Sequence, residues 1–360
     1  MRENDPRFYF PALMLLLFLF SSCKKDEVIT ERSPAPTPVK LEVPGNFPPF
    51  TDDVDNPLTR EGIELGRILF YDARLSGNNK ISCASCHRQD IGFSDGVALT
   101  AIGVSGKHLE RHTPILFNLA WAKNGLFWDG GSTNLESQAL GPLTSADEMN
   151  QNLTELEAEL KAIPDYVKRF NFVFGREIRT ADVIRALAQF QRALISGGSR
   201  YDHYKRGETG ATLSDLELQG LSLVNAKCRS CHTGELFTDD DFHNNGIDSS
   251  YPDDLEGLFQ GRFRISFNPA DMGKFKTPSL RNVLITAPYM HDGRFKTIDE
   301  VLDHYSVGLK SSPTVDMLLY QNGGKLGIPI TASEKEAIKV FLATLTDQNF
   351  LYDGKFARPN

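Results

Sequence analysis

Apolar residues recur every three or four positions along much of the chain, and this spacing predicts a mainly helical fold. The clearest run follows Thr180 and puts one face of a helix at Val183, Leu187, Phe190 and Leu194. From residue 88 to residue 149 the spacing is weak and glycine, proline and aromatic residues are frequent, as in loops around a bound group. We find no strong strand pattern.

Helix starts are predicted where Ser or Thr is followed three residues later by Glu, the capping-box pattern. Before apolar runs it occurs at Thr154–Glu157, Ser214–Glu217, Thr297–Glu300 and Thr331–Glu334. Thr59 is expected to cap an earlier helix whose apolar face includes Ile63, Ile68, Leu69 and Phe70. The helix after Ser214 leads towards Cys228, and the helix after Thr297 carries Tyr305.

The N-terminus predicts export. An apolar run from Phe8 to Phe20 follows a weakly basic start and is short for a membrane span. It ends in Ser21-Ser22-Cys23, which resembles a bacterial lipobox. Residues 1–22 are therefore predicted to be a lipoprotein signal peptide, with a periplasmic protein anchored to the membrane by lipid on Cys23. An ordinary signal peptide and an uncleaved anchor remain alternatives.

Composition limits the partners and the number of domains. The 360 residues suffice for two domains, and the net charge of -8 argues against a nucleic-acid partner. Residues 23–50 are rich in proline and are expected to form an extended tether. The sequence carries no signal for oligomeric state, and a homodimer is kept among the expected states.

Two short motifs carry the chemistry. Cys83-Ala84-Ser85-Cys86-His87 and Cys228-Arg229-Ser230-Cys231-His232 both read CxxCH, the attachment pattern of a c-type haem. Two cysteines form thioethers to the porphyrin, and the histidine supplies the proximal nitrogen to iron. Of the five cysteines only Cys23 lies outside these motifs. The sequence therefore predicts two covalently bound haem c groups.

Zinc and redox-dithiol alternatives are less compatible with the sequence. Cys86 and Cys228 lie 142 positions apart, too far for an ordinary four-cysteine zinc site, and no βαβ pattern surrounds either pair. We predict two cytochrome c-like helical haem domains with long connecting loops. Residues 51–205 would form the N-terminal haem domain, 206–346 the C-terminal one, and 347–360 an irregular tail.

The second axial ligand of each iron decides whether it is open to substrate. The residue types that could supply it are histidine, methionine and tyrosine, and the sequence leaves this choice open. The histidine and methionine candidates are His108, His112, His203, His243, His291, His304, Met149, Met272, Met290 and Met317.

Beyond the haem motifs, most of the chain after the tether resembles the bacterial di-haem cytochrome c peroxidases. The matching segments are Gly92-Phe93, Arg111-His112-Thr113-Pro114, Phe127-Trp128-Asp129-Gly130, Leu135-Glu136-Ser137-Gln138, Gly141-Pro142, Glu148-Met149, Phe275–Asn282 and Thr286–Gly293. The resemblance implies that the N-terminal haem reacts with peroxide and that the C-terminal haem receives electrons.

The same resemblance implies roles for three residues. Trp128 falls where the family has a tryptophan between the haems, so we expect it to relay electrons. Gln138 and Glu148 correspond to the peroxide pocket. A carboxylate beside bound peroxide can move a proton from one oxygen to the leaving oxygen, and Glu148 is expected to do so. Without the resemblance, a packing tryptophan and a solvated glutamate would be the ordinary interpretations.

Two departures from the family pattern point to its MauG-like branch. Where some members place a distal histidine over the N-terminal haem, this chain has Val104, which predicts an open iron; His108 lies nearby but out of register. The family's methionine ligand of the C-terminal haem corresponds to Tyr305, nineteen residues after Thr286. The alternative is that Tyr305 packs in its helix and Met290 or Met317 binds the iron.

Calcium is a further expectation from the resemblance. In the family an asparagine and two backbone carbonyls hold it between the haems. Thr286 and Pro288 match the carbonyl positions, whereas His112 stands at the asparagine position. Imidazole is a poor ligand for calcium, which takes oxygen donors.

The main functional expectation is a peroxidase that reduces hydrogen peroxide with electrons from a small cytochrome c or cupredoxin. A MauG-like oxidase that uses peroxide to oxidise a protein or small-molecule substrate is the second reading. A membrane-tethered electron carrier without catalysis is the third.

Overall fold

Helices supply most of the regular structure, which confirms the mainly α fold class. The computed structural model describes Met1, residues 35–51 and residues 53–360, of which residues 36–360 form one compact unit. The predicted signal peptide after Met1, the lipid-anchor residue Cys23 and the start of the tether lie outside the described residues. Within the described ranges, no helix is both long and apolar enough to cross a membrane.

In chain order the helices are α1 (Arg60–Phe70), α2 (Cys83–Cys86), α3 (Leu135–Thr144), α4 (Leu153–Lys161), α5 (Pro164–Phe174), α6 (Thr180–Arg192), α7 (Arg200–Lys205), α8 (Asp215–Lys227), α9 (Phe263–Ser266), α10 (Ile298–Asp303), α11 (Ala332–Ala343) and α12 (Gln348–Tyr352). Strands β1 (Phe242–His243) and β2 (Phe275–Lys276) pair antiparallel, with Phe242 opposite Lys276.

Most of the predicted helix starts are confirmed. The Thr59 hydroxyl accepts a hydrogen bond from Gly62 N at 3.0 Å and caps α1. Capping boxes begin α8 at Ser214, α10 at Thr297 and α11 at Thr331. Each box satisfies backbone N–H groups that have no partner inside the first helical turn.

The capping box predicted at Thr154 is wrong. Asn152 caps α4 instead, because its Oδ1 accepts hydrogen bonds from Thr154 N and Glu155 N. Asparagine is as good an N-cap as serine and better than threonine, so the earlier residue starts the helix. The segment that we expected to be irregular also contains α3, which Asn134 and Ser137 cap reciprocally.

The two halves repeat one packing arrangement. The helix before each haem motif crosses a later helix at a glycine: a Cβ on Gly66 in α1 would lie 1.9 Å from Ala186 O of α6. A Cβ on Gly220 in α8 would lie 2.0 Å from Ala337 O of α11. Only glycine permits this approach. The repeat agrees with two related halves, each holding one CxxCH motif next to a helix pair.

The hydrophobic residues form a core in each half, but the C-terminal segment returns to the first core, and α7 contributes to the second. Phe350 and Phe356 of the C-terminal segment belong to the first core, while Tyr201 of α7 belongs to the second. The segment after Asp347 is therefore not wholly irregular, since it contains α12 and is partly buried.

The end of the predicted tether is likewise packed, with Phe47 buried against Trp121 at 5.4 Å between ring centroids. The sequence pattern there, rich in proline and polar residues, predicted an extended segment. Its aromatic side chains Phe47 and Phe50 instead pack on Trp121, which holds the segment in place.

Candidate haem and peroxide site

The first CxxCH motif is shaped to present a histidine to a metal. Cys83–Cys86 form the single turn α2, and Ser82 and Ser85 cap each other at its start. His87 follows, and its Nδ1 lies 2.7 Å from Phe93 O. Because the carbonyl oxygen can only accept a hydrogen bond, Nδ1 carries the proton, and Nε2 is left free to bind iron. Burial lowers the pKa of His87, so the neutral, ligating form is favoured.

The second motif has the same arrangement. Cys228 ends α8, and His232 Nδ1 lies 3.2 Å from Phe237 O and 3.1 Å from Pro278 O. Cys228, Cys231 and His232 line a cavity of about 780 Å³ that is walled mostly by apolar side chains. A cavity of this size and character suits a large planar cofactor. The residues present at both motifs therefore fit covalent haem.

The cysteines lie in surroundings that favour a neutral sulfur. All four motif cysteines are free of disulfides. Burial is the main reason that the pKa of Cys83 and Cys86 rises to about 12, and burial also raises the pKa of Cys228 to about 11. Zinc sites and redox dithiols need thiolates, which these surroundings disfavour. A thioether bears no charge and is compatible with them.

Glu148 lies on the side of the first motif. Its negative charge adds to the raised pKa of both Cys83 and Cys86. Glu148 O accepts a hydrogen bond from Val104 N at 2.7 Å, so the two positions singled out from the sequence are neighbours. Burial raises the pKa of the Glu148 carboxyl. His108 is exposed, with Nδ1 2.8 Å from Leu99 O.

Gln138 and Trp128 both line the large cavity. Gln138 is buried on α3, and the same cavity holds the second motif. The structure therefore brings Glu148 together with Val104 and the first motif, and places Gln138 and Trp128 on one cavity wall.

A chain of contacts connects Trp128 to the first motif. Trp128 Nε1 donates to His112 O at 2.8 Å, and the Oγ of Ser94 lies 3.4 Å from His112 Nε2. Ser94 follows Phe93, whose carbonyl holds His87. Trp128 therefore lies between the second-motif cavity and the loop that orients the first histidine.

The three residues expected to hold calcium are Thr286, Pro288 and His112. Thr286 and Pro288 line the cavity, near the loop of the first motif, where Thr286 Cγ2 approaches Gly92. The third expected donor, His112, points Nδ1 at Val97 O, 2.8 Å away. Calcium takes six to eight oxygen ligands, and an imidazole already committed to a carbonyl offers none. This donor set does not fit calcium.

Tyr305 and Met290 both line the second-motif cavity, whereas Met317 is 76% exposed. Tyr305 lies in a π-helical turn, His304–Gly308, that continues α10. Such turns change which way a side chain faces within a helix and are frequent at functional sites. Tyrosine remains well placed for the ligand role, and Met290 remains its competitor.

Two more polar residues line this cavity: His243, one of the candidate axial ligands named from the sequence, and Asn245, which sequence reasoning missed. His243 is held between the carboxylates of Asp239 and Asp316, and the hydrogen bond to Asp239 is the largest cause that raises its pKa to about 11. Asn245 lines the cavity two residues further on. Neither belongs to a recognisable motif, and only the fold brings them to the cavity wall.

Comparisons with known proteins agree with this geometry. A family model described as di-haem cytochrome c peroxidase matches residues 60–210. The chain is 38% identical over 296 residues to the methylamine utilization protein MauG of Methylorubrum extorquens, covering 81% of this chain and 79% of that protein. It is 34% identical over 329 residues to the cytochrome-c peroxidase IdrP1 of Pseudomonas sp. strain SCT, covering 83% and 84%.

A solved structure, of a MauG-like protein associated with microbial copper homeostasis, is also similar. It aligns with a TM-score of 0.81 at 36% identity, covering 89% of this chain and 99% of the other.

Proposed function

This chain belongs to the di-haem cytochrome c peroxidase family, and from that premise we propose that it reduces hydrogen peroxide to water with electrons from a small redox protein. The proposal is carried by the pair of CxxCH motifs, in each of which the histidine Nδ1 is hydrogen-bonded to a backbone carbonyl oxygen. The bound haems would supply the iron at which peroxide reacts and the path by which electrons arrive. The protein residues would handle protons, orientation and coupling.

Glu148 is the proposed proton carrier at the first haem. Burial raises the pKa of the Glu148 carboxyl towards neutral pH, and a group with such a pKa accepts and returns a proton more readily. The carboxyl would take the proton of one peroxide oxygen and deliver it to the departing oxygen. Val104, beside it, offers no ligand atom, which supports an open iron at this haem.

Trp128 is the proposed coupling residue, and Gln138 the amide that assists at the pocket. Support for Trp128 comes from its hydrogen bond to His112 O and its place at the second cavity. Support for Gln138 comes from its buried position on α3, where it lines the same cavity as Trp128. Calcium is left out of the proposal because the donors near Thr286 do not fit it.

Location and partners form part of the proposal. We propose a periplasmic protein, anchored by lipid at Cys23, that receives electrons from a cytochrome c or cupredoxin at the haem of Cys228, Cys231 and His232. Globomycin treatment or mass spectrometry of the mature N-terminus tests the anchor. The homodimer and the domain boundaries at residues 205 and 346 stay predictions.

The test is steady-state peroxide turnover by the haem-loaded protein with a reduced cytochrome. We expect Glu148→Gln to lower kcat/KM by roughly 10²–10⁴, the usual range for a lost general acid–base group. Glu155→Gln, at an exposed position in the first turn of α4, is the matched control and should keep full activity. No peroxide consumption by the haem-loaded wild type would overturn the proposal.

A second candidate is a MauG-like oxidase that uses peroxide to oxidise another molecule. Tyr305 at the second cavity and the 38% identity to MauG favour it. Peroxide titration of the oxidised protein separates the two: a long-lived oxidised state formed without prior reduction favours the oxidase. Two haems that ignore both peroxide and cyanide would instead favour the non-catalytic carrier.

A further inference from the structure

Asn245 lies where two candidate ligands of the second haem meet. It follows β1 and lines the cavity together with Tyr305 and Met290. Its backbone carbonyl accepts a hydrogen bond from His304 Nε2 at 3.0 Å. His304 directly precedes Tyr305 in the π-helical turn, so this bond fastens the Asn245 loop to the backbone that carries the phenol.

The neighbouring residue makes that loop rigid. Asn244 is completely buried, and its Nδ2 donates to Thr314 Oγ1 at 2.8 Å. Its Oδ1 accepts from Gly246 N at 3.0 Å and from the Tyr251 hydroxyl at 2.8 Å. A side chain satisfied on both its oxygen and its nitrogen fixes the backbone on either side. Asn245 therefore reaches the cavity from a fixed position.

The Asn245 amide contacts one of the competing side chains and shares a cavity with the other. Its Nδ2 lies 3.2 Å from Met290 Sδ. Tyr305 lines the same cavity, and its neighbour His304 is bonded to the Asn245 backbone. An amide NH₂ carries two hydrogens, enough for one bond to the thioether and one to the phenol oxygen.

We propose that Asn245 selects the axial ligand of the second haem by holding the Met290 sulfur and positioning the Tyr305 hydroxyl. The inference rests on the proposed function, in which Tyr305 is that ligand. A thioether is a weak acceptor, so an N–H donor so close to it restrains its orientation without a strong bond. Without the amide, the flexible methionine gains rotamers and competes for the iron.

The two ligands give distinguishable haems. A tyrosine oxygen stabilises oxidised iron, whereas a methionine sulfur raises the reduction potential. Selection by Asn245 thus predicts a change in spectrum and potential, and not only in activity.

The experiment uses the full-length, haem-loaded protein. Asn245→Leu keeps the side-chain size and removes the amide. We expect the methionine-to-ferric charge-transfer band to appear in its near-infrared absorption and magnetic circular dichroism, with a higher midpoint potential at the second haem. Adding Met290→Leu should abolish that band. Asn245→Ser, a smaller change, should act in the same direction and covers the case in which the leucine variant does not fold.

Tyr305→Phe is the reference that separates the inference from its premise. If Tyr305→Phe changes the spectrum while Asn245→Leu and Asn245→Ser leave spectrum and potential as in the wild type, Asn245 has no selecting role. If Tyr305→Phe itself leaves the spectrum unchanged, tyrosine ligation fails, and the selection by Asn245 fails with it. Circular dichroism of each variant confirms that folding is retained.

Discussion

Arg281 is predicted to stabilise the second haem site. The loss in unfolding free energy on its removal can be estimated from its contacts. Its side chain is fully buried and bonds both oxygens of the equally buried Asp202, at 2.7 and 2.8 Å. Its Nε donates to Glu235 O at 2.8 Å. Arg281 lies three residues after Pro278, whose carbonyl oxygen lies 3.1 Å from His232 Nδ1.

Arg281→Met would leave the Asp202 carboxylate buried without its cation. Breaking a buried pair in this way costs about 3–5 kcal/mol. Asp202 keeps donors from Ser199 and Asn46, so we expect a loss in unfolding free energy of about 3 kcal/mol, at the lower end of that range. Adding Asp202→Asn removes the stranded charge and should recover part of the loss.

Urea unfolding of the haem-loaded protein, followed by far-ultraviolet circular dichroism, measures the change. Arg294→Met is the matched control, because Arg294 also pairs with aspartate, in its case Asp248 and Asp292, but is 32% exposed. Its loss in unfolding free energy should be smaller than that of Arg281→Met, because solvent screens a partly exposed pair. A loss for Arg281→Met no larger than that of the control would refute the reasoning.

Three further predictions concern coupling, pH and metal. Trp128→Phe should slow electron transfer between the haems roughly tenfold, because it removes the hydrogen bond to His112 O, whereas the control Trp121→Phe, which loses a comparable hydrogen bond to Pro48 O, should not slow it. Flash photolysis or stopped-flow reduction measures both rates. Equal rates for the wild type and Trp128→Phe would contradict a relay. Burial lowers the pKa of His291 to about 4 from the usual 6.5, so the unfolded state gains the proton first as pH falls, and stability should drop between about pH 6.5 and 4 by about 3 kcal/mol. His291→Phe, which keeps the stack on Phe275, should flatten that dependence in urea titrations at each pH; an unchanged slope would contradict it. Treatment with a chelator should leave the absorption spectrum and Tm unchanged, because the donors near His112 do not fit calcium. One calcium per chain in elemental analysis, with a spectral change on its removal, would contradict this.

Local rules predicted the features that depend on neighbours in the chain. Thr59, Ser214 and Thr297 cap helices because a hydroxyl or a capping box acts within three residues. The haem motifs are read the same way, since the porphyrin spacing is built into five residues. Helix α3 was missed because Pro142 interrupts its pattern and its cap is Asn134 with Ser137.

Features that depend on tertiary packing could not be read in this way. Phe47 and Phe356 lie in segments whose composition suggests loops, yet both are buried by partners from distant parts of the chain. Asn245 carries no motif, and its importance comes only from Met290 and Tyr305 across the cavity.

The electron paramagnetic resonance spectrum of the fully oxidised, haem-loaded protein tests the central claim most directly. The claim is that one haem is open to peroxide, with Val104 and Glu148 on its far side, and that the other is closed by Tyr305. It predicts one high-spin ferric signal that cyanide converts to low spin, and one low-spin signal that cyanide leaves unchanged and that Tyr305→Phe alters. Two low-spin signals, both unaffected by cyanide and peroxide, would contradict it.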